Sequence, residues 1–344
     1  METIKTKIDP SKIMQIGMGF WASKTLLTAV ELQLFTHLSE RALAGREIQE
    51  RLGLHDRNLY DFLDSLTALG FLERVGLKDE AVYQNSDDVN LFLDKNKPSY
   101  MGGILEMANN RLYPFWHDLG AGLKTGKPQN ETKKGGPSVF DIIYSDQAKL
   151  REFVNAMGGI QMGNFITLAK AFDFSGYRIL CDLGGAGGFL AAQVAINNPH
   201  MQCSTFDLPP LTPVATEIIQ SMQLEDRIEV LSGDFFRDEI PSADVITMGN
   251  VLHDWGLADK KRLIKKAYNA LPDGGALVVI ENIIDDERNK NAFGLMMSLN
   301  MMIETPDGFD FSFSDFNEWA FEAGFTQTSI MHLTGPTSAV IAYK

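Results

Sequence analysis

Residues 178–190 run RILCDLGGAGGFL: an apolar stretch, Arg178 to Leu183, then four glycines among five residues, then a segment of helical character. Such a run is a strand that enters a helix through a turn, where bare backbone can approach a ligand outside the carboxyl ends of the strands. Asp182, Gly184, Gly185 and Gly187 are therefore candidate cofactor contacts. The dinucleotide fingerprint fails here. Counted from Gly185, the third glycine position of G-x-G-x-x-G holds Leu190, and glycines packed this tightly suit a ligand without a pyrophosphate. Downstream, candidate strands at Gln202–Leu208, Arg227–Leu231, Asp244–Gly249 and Ala276–Asn282 alternate with helical segments. Apolar strands with helical crossovers predict a parallel sheet covered on both faces. The last two runs, Thr326–His332 and Ser338–Tyr343, are joined only by Leu333–Thr337. That gap is too short for a crossover and predicts an antiparallel hairpin at the sheet's edge.

The ends of these strands carry the chemistry. Asp207, followed by Leu208, closes the second strand about 20 residues past the glycines, where a carboxylate can accept from both ribose hydroxyls. The third strand ends in Gly233-Asp234-Phe235, a carboxylate for an adenine amino group and a ring for its face. Structural duties compete: Asp207 as a cap, Asp234 as an N-cap, Phe235 as packing. The fourth strand ends in Asn250-Val251-Leu252-His253-Asp254-Trp255. An imidazole there points into the ligand crevice and suits proton removal at neutral pH. Glu281, at the end of the next strand, is placed to bond its other nitrogen and stabilise the imidazolium.

Upstream of the sheet the pattern is helical. A short helix at Gly45–Leu54, a second at Arg57–Leu69 and strand-like pieces at Phe71–Val75 and Ala81–Asn85 spell a winged helix-turn-helix. Its second helix carries Asp56, Asp61 and Asp64 beside Arg57, and carboxylates facing a phosphate backbone lose the counterion-release energy of DNA binding. The apolar segment Met14–Leu34 has more hydrophobic faces than one small domain needs, which predicts a homodimer interface. Residues 124–137, KTGKPQNETKKGGP, predict a surface loop and hinge, and Ser145–Phe172 a connecting helix. The organisation expected is a helical winged-helix module over 1–110, a helical connector over 111–172 that contributes to the substrate pocket, and an α/β domain over 173–344. Asp and Glu outnumber Lys and Arg by 45 to 31, a field that disfavours nucleic acid and anionic membranes. The amino terminus METIKTKIDPSK has no apolar leader core and no run is long enough to span a bilayer, so the expected location is cytoplasmic. Cys181 and Cys203 are expected as buried thiols.

The motifs DLGGAGG, FDLP, GDFF, LHDW and the following IE resemble those of S-adenosylmethionine-dependent O-methyltransferases of the plant caffeic-acid and acetylserotonin type, with bacterial relatives that tailor small metabolites. The resemblance spans nearly the whole chain. It implies a Rossmann-like, doubly wound seven-stranded methyltransferase domain, and an N-terminal winged-helix domain that dimerises. It also implies S-adenosyl-L-methionine as cofactor, S-adenosyl-L-homocysteine as product and no metal requirement. By position it puts Gly184 and Gly185 along the methionine part, Asp207 at the ribose, and Asp234 and Phe235 at the adenine. Asp182, Gly187, Leu208, Gly233 and Asn250 complete the expected cofactor set. His253 becomes the general base, flanked by Glu281 and Asp310, with Asn300 a substrate contact. Met157, Met162, Phe165, Asp254, Trp255, Met297 and Met301 are the further candidates for the acceptor pocket.

The chain departs from its relatives at three places. Asp310-Phe311-Ser312 replaces a common Glu-Arg-Thr, Gly249 stands where plant relatives have lysine, and Glu304–Phe309 is more acidic and aromatic. The expected reaction is methyl transfer to the hydroxyl of a small aromatic metabolite. A carbon or nitrogen acceptor on the same fold is the alternative, and a winged-helix regulator the reading from another class.

Overall fold

The computed structural model describes residues 8–133, 135 and 139–344; the sequence expectations at residues 1–7, 134, 136 and 137 lie outside these described residues. The chain forms two compact units, divided between Tyr113 and Pro114.

In the first unit, α1 (Gly19–Glu31), α2 (Gly45–Leu52) and α3 (Leu59–Ala68) pack with a small antiparallel sheet. Its strands β1 (Leu43–Ala44), β2 (Leu72–Val75) and β3 (Val82–Asn85) lie in the order β1-β3-β2. This is the expected winged-helix order. Helix α2 stops at Gly53, whose φ of 64° ends it in the left-handed region. Leu59, Leu63 and Leu66 on α3 meet Phe35, Ile48, Leu72 and Tyr83 in one core. The carboxylate of Asp64 is used internally: it accepts from Tyr83 Oη at 2.7 Å and pairs with Arg74 at 2.7 Å. Phe20 and Trp21 on α1 stay 49% and 61% exposed, which leaves the apolar excess of this segment on the surface.

The second unit is built on seven strands: β4 (Ile179–Leu183), β5 (Gln202–Asp207), β6 (Ile228–Ser232), β7 (Val245–Gly249), β8 (Ala276–Glu281), β9 (Gln327–His332) and β10 (Ser338–Tyr343). Their order is β6-β5-β4-β7-β8-β10-β9. The first five pair in parallel, and β10 runs antiparallel to both β8 and β9. The hairpin thus lies at the edge, with β9 outermost and β10 inserted beside β8.

Alternation along the strands splits the core. On one face Cys181, Leu183, Ile246, Met248 and Val279 are joined by helices α7 (Leu257–Ala270) and α9 (Phe313–Ala323), named in chain order after α4 (Gln147–Ala171), α5 (Phe189–Asn197), α6 (Thr212–Ser221) and ahead of α9, α8 (Ala292–Glu304). On the other, Leu180, Cys203, Val278, Ile280 and Ile341 meet α4 and α5. Both cysteines are free and buried. Helix α4 starts where Asp146 Oδ1 accepts from Ala148 and Lys149 N–H at 2.9 and 3.2 Å, and it fills the expected connecting span. The hinge expected over 124–137 needs correction in its described part. A short helix, Leu119–Thr125, runs into it, and Gln129 and Asn130 are buried. The backbone N–H of Gln129 donates to the Ile303 carbonyl at 2.9 Å and the side-chain Nδ2 of Asn130 to the Glu304 carbonyl at 2.8 Å, both at the end of α8.

Candidate active site

A cavity opens outside the carboxyl ends of β4, β5, β6 and β7, where crossovers leave on opposite faces of the sheet. Gly184, with φ of +68°, turns the chain out of β4. A Cβ on Gly185 would fall 2.3 Å from Thr205 Oγ1 and 2.6 Å from Asp182 Oδ2, so only bare backbone fits there. Both glycines line the cavity, as do Asp182, Asp207, Leu208, Asp234, Phe235, Asn250, Asp254 and Trp255 among the anticipated residues.

Asp207 performs the cap and leaves room for a ligand. Its Oδ2 accepts from Ala186 N–H at 2.9 Å and its Oδ1 from Leu208 N–H at 2.7 Å, which uses about half of a carboxylate's acceptor sites. Burial pushes Asp207 up to about 6 against those bonds. Asp182 is also buried; its Oδ1 accepts from Thr247 Oγ1 at 2.7 Å, and burial drives it to about 7. Asp234 Oδ1 accepts from Phe236 N–H at 2.8 Å in a turn with no helix after it, so it caps no helix, and it borders the cavity. Phe235 both lines the cavity and packs edge-on against Trp255, at a centroid distance of 6.1 Å. Asn250 is held at φ of +53°, and its side-chain Oδ1 is buried without a hydrogen-bond partner. Among the described residues, the charged ones lining the cavity are all acidic: Asp182, Asp207, Asp234 and Asp254. An adenosyl sulfonium bearing an ammonium group fits this set: the bare glycine turn admits it closely, the acids favour its positive charge, and Asn250 Oδ1 awaits a donor.

His253 sits in a single 3-10 turn, Leu252–Asp254, just beyond β7. Its ring is brought together with both anticipated acids. Nδ1 lies 3.3 Å from Glu281 Oε2 and 3.4 Å from Asp310 Oδ1. The shorter acid at 310 therefore reaches the imidazole. Glu281 Oε1 also accepts from the His253 backbone N–H at 3.2 Å, which fixes the turn against β8. The other nitrogen, Nε2, lies 3.6 Å from Asp254 Oδ1. Burial disfavours charge on the imidazole, but Glu281, Asp254 and Asp310 outweigh it and push His253 well above the usual imidazole range, to about 10. Burial raises Glu281 while the imidazole pulls it back.

Several anticipated positions lie off the cavity lining. His253, Glu281 and Asp310 are 5%, 1% and 2% exposed and lie behind the cavity lining, to which their neighbours Asp254 and Trp255 belong. Gly187 and Gly233 are also off the lining: Gly187 packs against Phe189 and Val154, Gly233 against the Phe206 ring. Of the acceptor candidates, Met157 and Phe165 line the cavity; Met162, Met297, Asn300 and Met301 do not. Asn300 is buried, with its Oδ1 accepting from Trp116 Nε1 at 2.8 Å. One wall of the cavity is a face of α4, on which the sequence reading names Met157 and Phe165 and misses Phe153 and Gln161. Phe153, Met157, Gln161 and Phe165 line the cavity at a spacing of four residues, and Met162 falls about 100° round the helix from Gln161. That stripe was visible in the sequence. Tyr144, which also lines the cavity and is raised by burial, had no sequence signal.

Family models match at both ends of the chain: an O-methyltransferase domain over residues 116–326 and an O-methyltransferase dimerisation domain over residues 14–95. The chain is 38% identical to the tetracenomycin polyketide synthesis 8-O-methyl transferase TcmO of Streptomyces glaucescens, covering 97% of each. It is 32% identical to the N,N-dimethyltransferase OxyT of Streptomyces rimosus, over 91% of this chain and 90% of that one. The crystal structure of human N-acetylserotonin methyltransferase in complex with SAM superposes with a TM-score of 0.91 at 25% identity, covering 100% of this chain and 99% of that one. With a family model matching well over half its length and close likeness across its whole span, this chain belongs to the O-methyltransferase family and is S-adenosylmethionine-dependent.

Proposed function

We propose that the protein methylates a phenolic hydroxyl on a fused-ring aromatic acceptor of polyketide type, with His253 as the general base and S-adenosyl-L-homocysteine as the second product. The observation that carries this reading is the imidazole held between two buried carboxylates, with Asp254 leading from its Nε2 to an aromatic-walled cavity. The relative named for tetracenomycin polyketide synthesis supports the acceptor class.

S-adenosylmethionine supplies an electrophilic methyl on a good leaving group. What remains for the protein is to hold, orient and deprotonate. Gly184 and Gly185 take the methionine part, Asp207 the ribose, and Asp234 with Phe235 the adenine, while Asp182 and Asn250 hold the turn and a polar edge. Met157, Phe165 and Trp255 grip the acceptor ring, which keeps its oxygen near the methyl and raises the effective concentration of the two. His253 Nε2 takes the hydroxyl proton, and Glu281 and Asp310 at Nδ1 stabilise the imidazolium that results. The raised proton affinity that these acids give the imidazole favours its taking the proton of a phenol.

The working unit in this reading is a homodimer joined through residues 14–95, acting in the cytoplasm in secondary metabolism. Residues 111–172 serve as the connector that supplies the α4 wall. No helix among the described residues is long and apolar enough to cross a membrane. The test is incubation with labelled S-adenosylmethionine and a panel of hydroxynaphthoates, hydroxyanthraquinones, catechols, hydroxyindoles and aromatic amines, followed by mass spectrometry. Label on a phenolic oxygen supports the proposal; label confined to amines or ring carbons contradicts it.

A further inference from the structure

Gln161 and Asn164 lie one turn apart on α4, both buried, with Gln161 on the face that lines the cavity. Asn164 Oδ1 accepts from the backbone N–H of Thr334 at 3.1 Å and from the Thr334 hydroxyl, in the turn between β9 and β10. A backbone N–H can only donate, so these bonds settle which end of the Asn164 amide is oxygen. Its Nδ2 then donates to Gln161 Oε1 at 2.8 Å. The oxygen of Gln161 is thereby used, and among the described residues nothing accepts from its Nε2, although the residue is only 6% exposed. A buried amide hydrogen without an acceptor costs free energy. The relay from Thr334 through Asn164 therefore holds Gln161 Nε2 as a donor ready for a ligand of the cavity.

The packing of α4 says which part of the cavity that donor serves. A Cβ on Gly158 would lie 2.4 Å from the ring of Phe189, which opens α5 directly after the glycine turn. A Cβ on Gly249, the last residue of β7, would lie 3.4 Å from the Phe165 ring. Gln161 falls between these two contacts on the helix, so it stands across the neighbouring ends of β4 and β7, where Gly184 leaves the sheet. S-adenosylmethionine carries a sulfonium, an ammonium and a carboxylate. The acids of the lining favour its two cations and repel its anion. The glycine turn has few amides to spare for that anion: Gly184, Ala186 and Gly188 N–H already donate to Phe206 O, Asp207 Oδ2 and Gly185 O at 2.9, 2.9 and 2.8 Å. A lysine or arginine in place of Gln161 would set a like charge beside the sulfonium. A neutral amide bonds the carboxylate without that repulsion.

We propose that Gln161 is a cofactor-binding residue whose Nε2 holds the carboxylate of the methionine part of S-adenosylmethionine, with Asn164 and Thr334 as positioning residues that fix the amide as a donor. The proposal rests on the placement of the methionine part along Gly184 and Gly185, and is independent of the acceptor and of His253 as base.

The test is calorimetry on the full-length protein with S-adenosyl-L-homocysteine and with its decarboxylated analogue, which keeps the adenosyl group, the thioether and the ammonium. We expect the wild type to bind the first about ten- to a hundredfold more tightly, the range for a hydrogen bond to a charged group. Gln161→Leu should remove most of that preference by weakening S-adenosyl-L-homocysteine alone. Gln161→Glu keeps the shape, sets a like charge against the carboxylate and should reverse the preference; it carries the comparison if the first variant does not fold. Asn164→Asp keeps the bonds from Thr334 but turns an oxygen on Gln161, so the amide flips and the preference should shrink with the contact residue itself untouched. A wild type that binds both ligands alike, or folded Gln161 variants that keep the wild-type preference, overturn the proposal. Asp207→Ala tests the cofactor placement separately and should weaken both ligands alike; if it moves neither, the placement itself has failed and the Gln161 contact falls with it.

Discussion

At the scale of single residues, the electrostatics of the site run against its burial. His253 carries a raised affinity for its proton because Glu281, Asp254 and Asp310 overcome the desolvation of its ring. A base must be neutral to act, and a raised value means that neutrality is reached only as pH climbs. We therefore expect kcat/KM to rise through neutral and into alkaline pH; an acid limb at the ordinary imidazole value near 6.5 contradicts the carboxylate bracket. Asp182 shows the reverse cost. Burial raises it from the ordinary 3.8 to about 7, with Thr247 opposing, so its ionised form is uphill in the folded state. For a carboxylate whose folded value is raised, the stability contribution is complete below the unfolded value and is lost as pH rises through the folded one. Asp182→Asn should accordingly stabilise the protein by about 1–3 kcal/mol above pH 7, with the gain vanishing toward pH 4, while cofactor affinity drops. Urea titrations at several pH values with parallel calorimetry check both signs.

At the scale of elements, the site depends on two backbones touching. A Cβ on Gly308 would lie 2.6 and 2.7 Å from the carbonyls of His253 and Asp254, so the segment before Asp310 lies directly over the LHDW turn. Neither main chain can yield as a side chain would. Gly308→Ala should cost about 1–3 kcal/mol and lower kcat more than it alters cofactor affinity, because it lifts Asp310 from the imidazole; an unchanged kcat in the folded variant contradicts that placement. This contact was not legible in the sequence, where Asp310 entered only through the resemblance. The strands were legible because runs such as Leu277–Ile280 are apolar on both faces, and the glycine turn because positions 184–188 admit few other residues. Asn300 and Met301 are buried off the cavity lining, and an apolar helix gives no sign in the sequence of which face the tertiary packing covers. The meeting of His253 with Glu281 and Asp310 brings acids from two distant stretches of chain to one imidazole, a convergence that only the fold creates.

At the scale of the whole molecule, the first unit keeps Phe20 and Trp21 in solvent on a segment matched by the dimerisation model. Aromatic area of that kind is usually covered in an assembly. Trp21→Asp should turn the dimer into monomers in light scattering while the sheet of the second unit, with its own core, stays folded; a variant that remains dimeric places the interface elsewhere. The second unit concentrates acids at one end of its sheet: four line the cavity there, and Glu281 and Asp310 flank the imidazole beside it. The claim on which this account turns is that His253 accepts the acceptor's proton. It is tested most directly by measuring methyl transfer and cofactor affinity together in His253→Ala. The account predicts that turnover falls by about 10²–10⁴-fold while S-adenosylmethionine binds as in the wild type, and a variant that keeps most of its turnover would contradict it.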